Sequence, residues 1–199
     1  MKKLMIAALA LIAAAAGWFL YNKYRVVMPT VDVGRSEIGW VGKSIDDAHR
    51  GKIQLDSAVV QVQDGTVRSI LVVADMRRIS VEDITDPEGN REFVDHITNA
   101  DFFEVDKYAK ARFVSTNVER VADGSYAVTG DLTIKGVTRP VSFTAKPSAD
   151  GGSLQATLEI DRTAYGIVYG SKGQVGSEKD WFIHDAFTIT VNLLYGSGS

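Results

Sequence analysis

The residues best suited to acid–base or metal chemistry are three histidines, His49, His96 and His184. None has another histidine close by in the chain, so a metal site would have to assemble wholly through tertiary contacts, and none is expected. Asp95-His96 and His184-Asp185 have the composition of acid–base pairs. Adjacent residues on a strand point to opposite faces, however, so His184 and Asp185 cannot work as a pair through direct contact. A Gly-x-Ser-x-Gly elbow, a phosphate-binding glycine loop and a dinucleotide fingerprint are missing. The chain has no cysteine, which removes disulfides, thiolate metal sites, cysteine nucleophiles and a lipidated N-terminal cysteine together. Catalysis and a required cofactor are therefore not expected. An enzyme using the three histidines stays open as an alternative to a binding role.

The elements that must position any site begin with an unbroken apolar run over residues 4–20, behind Lys2 and Lys3. Ala14-Ala15-Ala16 satisfies the small-x-small rule for signal cleavage. The apolar stretch nevertheless continues through Trp18, Phe19, Leu20 and Tyr21, with Tyr24 beyond, in the manner of an interfacial aromatic belt. An uncleaved signal-anchor helix over residues 1–25 is the expectation. As a helix, residues 4–21 would span about 27 Å, just short of a hydrocarbon core of about 30 Å. Lys2 and Lys3 are balanced by Lys23 and Arg25, so charge alone leaves orientation open, and the signal-like start favours an exported C-terminal part. Residues 26–199 are enough for one domain with a real core. Beyond Arg25 stand 18 basic and 25 acidic residues, a net charge of −7 that argues against a nucleic-acid partner.

Period-2 alternation of apolar and polar residues recurs through the rest of the chain. It predicts eight strands, at about 36–43, 51–63, 66–76, 111–121, 125–135, 138–147, 153–161 and 184–195. Asp64-Gly65, Asp123-Gly124, Lys135-Gly136 and Asp150-Gly151-Gly152 punctuate them as tight reversals, so successive strands should be antiparallel neighbours. Ile53 and Leu55 keep one parity while Val60 and Val62 take the other, which predicts a β-bulge near residues 57–59. One long excursion, residues 77–110, carries a turn at Asp86-Pro87-Glu88-Gly89 and a short helix expected over 91–98. Eight strands with one apolar face close into a barrel or split into a sandwich, and the hairpin signals favour an all-β, antiparallel up-and-down barrel. Its interior either fills with side chains or holds one small ligand. Trp40, Phe113, Leu132, Phe143, Leu158, Phe187, Ile189 and Val191 sit on apolar strand faces and are the candidate cavity wall. Phe102 and Phe103, after the short helix, could gate one end or simply cap the core.

Several stretches carry a resemblance. They include Ser36-Glu37-Ile38-Gly39-Trp40-Val41-Gly42-Lys43, His49-Arg50-Gly51, Asp75-Met76 followed by Ile79-Ser80, and His96 leading into Asp101-Phe102-Phe103-Glu104-Val105-Asp106-Lys107-Tyr108. Further on come Ala111-Arg112-Phe113, the run from Gly130-Asp131-Leu132 through Lys135-Gly136-Val137-Thr138-Arg139-Pro140-Val141, and Asp161-Arg162-Thr163-Ala164-Tyr165-Gly166-Ile167. In order and spacing, residues 31–195 resemble the YceI-like family, lipocalin-like barrels associated with polyisoprenoid and other lipid ligands. Two departures put ligand identity and rim geometry in question: Ala109 stands where a proline commonly follows Lys-Tyr, and residues 170–180 lack the expected aromatic character.

The resemblance implies a bacterial carrier for an apolar lipid, such as an isoprenoid quinone or polyprenyl compound, and the N-terminal segment makes the expected carrier membrane-anchored and periplasmic. Its partners would be the lipid and, through residues 4–21, the inner membrane. Burying methylenes is worth about 0.8 kcal/mol each against water, but the competitor here is a bilayer as apolar as the barrel. Transfer should then be near neutral, leaving headgroup contacts to set selectivity. Arg162 and Tyr165 are the candidate mouth residues, the guanidinium suited to a phosphate or carbonyl. An ion pair of Arg162 with Asp161 or another strand carboxylate is the competing role. The alternatives are an accessory subunit of a membrane (respiratory) complex with a filled barrel, and a lipid-modifying enzyme using His49, His96 or His184.

Overall fold

The structure is a computed structural model that describes residues 17–18, 26–175 and 182–196. The expected anchor helix lies, apart from Gly17 and Trp18, outside the described residues. Among the described residues no helix is long and apolar enough to cross a membrane.

Among the described residues, nine strands form one antiparallel sheet: β1 (Val26–Val27), β2 (Glu37–Lys43), β3 (Ala48–Gln63), β4 (Thr66–Val81), β5 (Lys110–Arg120), β6 (Tyr126–Ile134), β7 (Val137–Pro147), β8 (Ser153–Asp161) and β9 (Ala186–Leu194). Strands β2 to β9 are successive neighbours, and β2 pairs with both β3 and β9, so the meander closes on itself as an eight-stranded barrel. The two-residue β1 adds to the outer edge of β3 and is too short to leave a periodicity. Turn chemistry sets the register. Asp64 and Gly65 (φ 53° and 68°) and Lys135 and Gly136 (φ 48° and 75°) each take paired left-handed conformations, the two-residue turn whose twist matches its flanking strands. The expected bulge falls at Asp56, where the β3–β4 register steps from Leu55 to Ser57. A larger step sets Ile53 opposite Ile79 but Gln54 opposite Asp75, so β4 detours through Met76, Arg77 and Arg78.

The excursion folds as α1 (Pro87–Thr98), one turn longer than expected. Asp86 is its N-cap, accepting from the Gly89 amide at 2.8 Å, with Pro87 in the first turn. A capping Asp before Pro is a helix start as well as a turn signal, and here the start wins.

The two ends of the barrel differ. At the end with the β3–β4, β5–β6 and β7–β8 turns, Val60, Val67, Val128, Leu193 and Tyr126 are buried, and the Tyr126 hydroxyl accepts from the Val67 amide at 3.2 Å. The opposite end is covered by α1, a 3-10 turn (Arg162–Tyr165), the short helix α2 (Lys172–Val175) and their loops. Between the ends the wall is uneven. Strand β8 pairs with β9 along all its residues but with β7 only through Ala145–Ala156, Lys146–Gln155 and Pro147–Leu154.

Candidate functional site

The described residues enclose two cavities inside the barrel. The first, about 120 Å³, is lined by aliphatic and aromatic side chains with Arg112 the one charged residue of its wall. Phe113, Leu132, Phe143, Leu158, Phe187, Ile189 and Val191 surround it, while Trp40 faces the second cavity. Gly130 explains how the wall fits together: a Cβ there would stand 2.6 Å from the Phe113 ring and 2.4 Å from the Val114 carbonyl. The ring thus lies over bare backbone and stacks on Phe143 with centroids 5.3 Å apart. Trp40 is placed similarly over Gly51, and its indole N–H donates to the Ser80 carbonyl at 3.1 Å. That bond turns the ring toward the loop-covered end.

The second cavity, about 210 Å³, sits beneath α1 and the loops. Ile53, Phe103, Phe187 and Ile189 belong to both walls, so Phe103 stands at the partition. Phe102 lines only the second cavity, packing on His96 and Tyr169 with centroids 5.1 and 5.6 Å away. All three histidines line this same cavity. His49 Nδ1 lies 2.7 Å from Asp83 Oδ2, and its ring packs on Phe93 at 4.4 Å. Burial alone would raise the Asp83 pKa, but hydrogen bonds from the Arg50 amide and from His49 outweigh it and hold the carboxyl below its usual value. The Asp83 carboxylate therefore orients the imidazole, whose Nε2 lies 3.7 Å from Asp47 Oδ2. His96 lies edge-on to Tyr169 at 4.7 Å, and His184 packs on Phe182 at 5.2 Å. Among the described residues, no three His, Asp or Glu side chains are grouped to hold one metal ion.

Sequence reasoning missed this convergence. The His49–Asp83 contact follows from simple register, since Gly51 opposes Val81 and continuing the ladder sets residue 49 against residue 83. Strands read three to five residues too short conceal it: β3 begins at Ala48 and β4 runs to Val81.

Arg162 and Tyr165, the candidate mouth residues, lie within the loop-covered end. Both are buried, at 4% and 3% exposure. Arg162 Nε donates to the His184 carbonyl (3.1 Å), Nη1 to those of Ile167 (2.9 Å) and Tyr169 (2.8 Å), and Nη2 to that of Ile183 (3.0 Å). Four of its five N–H groups are thus committed to backbone. Asp185 Oδ1 stands 3.9 Å from Nη2, too far for a hydrogen bond, and Asp161 caps the 3-10 turn through Thr163 instead of pairing. The guanidinium ties the two arms of the β8–β9 loop together, and its edge forms part of the second cavity's wall. Burial lowers its pKa and raises that of Tyr165.

The fold and the two cavities define a class, the closed antiparallel barrel with an apolar interior and a loop-covered end. The YceI-like domain matches residues 30–195, and the chain belongs to that family. UPF0312 proteins of Pseudomonas putida strains F1 and KT2440 are each 52% identical over 80 residues, covering 36% of this chain and 42% of theirs, so the match spans less than half the length of these relatives. Among solved structures, Burkholderia cenocepacia BcnA superposes with a TM-score of 0.68 at 24% identity, over 83% of this chain and 99% of that one. A polyisoprenoid-binding domain from Saccharophagus degradans, implicated in plant cell wall breakdown, gives 0.59 at 12% identity over 88% and 100% of the two chains. These likenesses establish the fold.

Proposed function

We propose that this protein binds an apolar lipid of the isoprenoid class, a quinone or polyprenyl compound, with its tail in the first cavity and its polar head toward the histidine-lined second cavity. The observation that carries this reading is the segregation of the interior: a nearly all-apolar chamber against the sealed end, and the polar donors His49, His96 and His184 gathered at the other. A lipid carrier needs this arrangement, a dry cavity with few polar groups at one end. The family membership and the polyisoprenoid-binding neighbour support the same ligand class. Residues 4–21 would anchor the chain in a bacterial inner membrane, with the barrel on the periplasmic side as carrier or buffer. Organic extraction of purified full-length protein followed by mass spectrometry should recover a prenyl lipid in near-stoichiometric amount. Protein that yields none and takes none up from prenol-containing vesicles contradicts the reading.

A second reading has one observation in its favour: an Asp-held imidazole in an apolar cavity with two further histidines is also an arrangement suited to proton transfer. Turnover of a bound lipid by wild type that vanishes in His49→Ala, with binding retained, would select the enzyme.

A further inference from the structure

We infer that the apolar tail enters the barrel sideways, through the slot between β7 and β8, and not through either end. This rests on the lipid-binding reading above and adds the route and the strands that form it.

The slot follows from the ladder. Past the Ala145–Ala156 pair, Thr157–Asp161 of β8 have partners on β9 but none on β7. Five residues without β7 partners make a break in the ladder about 17 Å long at about 3.3 Å per residue. Turn geometry dictates which β7 groups face it. The two-residue turn at Lys135-Gly136 makes Ile134–Val137 the first hydrogen-bonded pair, and alternation then gives Arg139, Val141, Phe143 and Ala145 to the β6 ladder. Thr138, Pro140, Ser142 and Thr144 therefore turn their backbone toward β8. Pro140 has no N–H, and it sits at the position where a continued register would need one to meet Asp161. Pro140 thus removes one ladder donor at the far limit of the slot, beyond Ser142 and Thr144, which keep theirs.

Both limits of the slot are pinned. At one stands the Ala145–Ala156 pair, and at the other Arg139 Nε donates to the Ala164 carbonyl at 3.3 Å. The side chains just inside its lips, Phe143, Leu158 and Ile160, line the first cavity. Once past the backbone N–H and C=O groups of the two lips, a tail meets only apolar side chains. The end routes lack this property: one is plugged by Val60, Val128 and Leu193, and the other leads past the histidines and the Phe102 and Phe103 rings.

The absence of cysteine allows a direct test. In the full-length chain, Ser142→Cys with Glu159→Cys places one thiol on each lip, opposite each other in the continued register. Lys146→Cys with Gln155→Cys places the same pair where the strands are already joined. Each pair is bridged with a short bis-maleimide, and uptake of an anthraniloyl ester of geranylgeraniol from phosphatidylcholine vesicles is followed by fluorescence. Bridging the slot should slow uptake on the order of tenfold or more, as blocking a gating step does. Bridging the joined strands should not, and probe loaded before bridging should stay bound. Equal rates in the two bridged proteins, whether both slowed or both unchanged, would overturn the lateral route. No uptake even by unbridged protein would overturn the lipid reading itself, and the route with it.

Discussion

The two ends of this barrel are built from the same strands and do opposite things. At the turn end, aliphatic side chains from β3, β4, β6 and β9 meet on the axis, and the Tyr126 hydroxyl accepts from the Val67 amide. At the loop end the strands stop short of each other. The space is covered instead by α1 and the β8–β9 loop, held by side-chain bonds to backbone: Asn90 Nδ2 to the Val81 and Ile84 carbonyls, Lys135 to the Ala100 carbonyl, and Arg162 to four more. Apolar packing seals one end without direction. Hydrogen bonds to backbone shape the other and leave three imidazoles around a cavity. Stability is thus concentrated where nothing need bind, and chemistry where the cover is made of loops.

The largest expected effect breaks the cover. Arg162→Met should destabilise the protein by about 3 to 5 kcal/mol, because it leaves four buried carbonyls without donors. Urea unfolding measures it. Unchanged stability with loss of ligand alone would return Arg162 to a headgroup role.

Next comes Gly130→Ala at the apolar chamber. The added methyl meets the Val114 carbonyl as well as the Phe113 ring, so β5 and β6 must part locally while the ring moves toward the space proposed for the tail, at a cost of about 3 kcal/mol or more. Lipid content measured by extraction should fall further than stability. Phe143→Leu should likewise alter lipid content more than stability, and unchanged content in both would argue that the chamber holds no ligand.

Much of this contrast was legible in the sequence, and the remainder fails for identifiable reasons. Alternation located all eight barrel strands and put the β3 bulge near residues 57–59, one residue past its place at Asp56, because one face is dry and the other wet. It also picked out inward side chains around the first cavity. It could not say that Trp40 turns toward the loop end, since that depends on a bond to Ser80 forty residues away. Nor could it show the Asp-held His49 or the buried Arg162, whose partners are backbone carbonyls and carry no side-chain signature. The sealed end is periodic and so can be read. The loop end is made of tertiary contacts and cannot.

A smaller effect sharpens the boundary between the two regions, where β4 detours. The bidentate Arg77 guanidinium holds the Asp75 carboxyl at about 2, with burial opposing and Lys110 assisting. A depressed carboxylate pKa stabilises the fold above the ordinary value of 3.8, and that contribution is lost as the pH falls from there through about 2. Acid unfolding of Asp75→Asn should therefore be flatter than that of wild type across this window. The smallest effects should come from His49→Ala, His96→Ala and His184→Ala, which leave affinity for a headless prenyl hydrocarbon unchanged. Each that donates to a headgroup should weaken binding of a headed lipid by about tenfold, the worth of one hydrogen bond of about 1.4 kcal/mol.

The central claim is that one end of the barrel holds a lipid tail and the other its head. Photo-crosslinking with two prenyl lipids, one carrying a diazirine at the tail terminus and the other at the head, tests it most directly. Peptide mapping should place the tail label on first-cavity residues such as Leu132, Leu158 or Leu193, and the head label near His49, His96 or His184. Labels confined to the outer strand faces, or the same residues labelled by both probes, would contradict it.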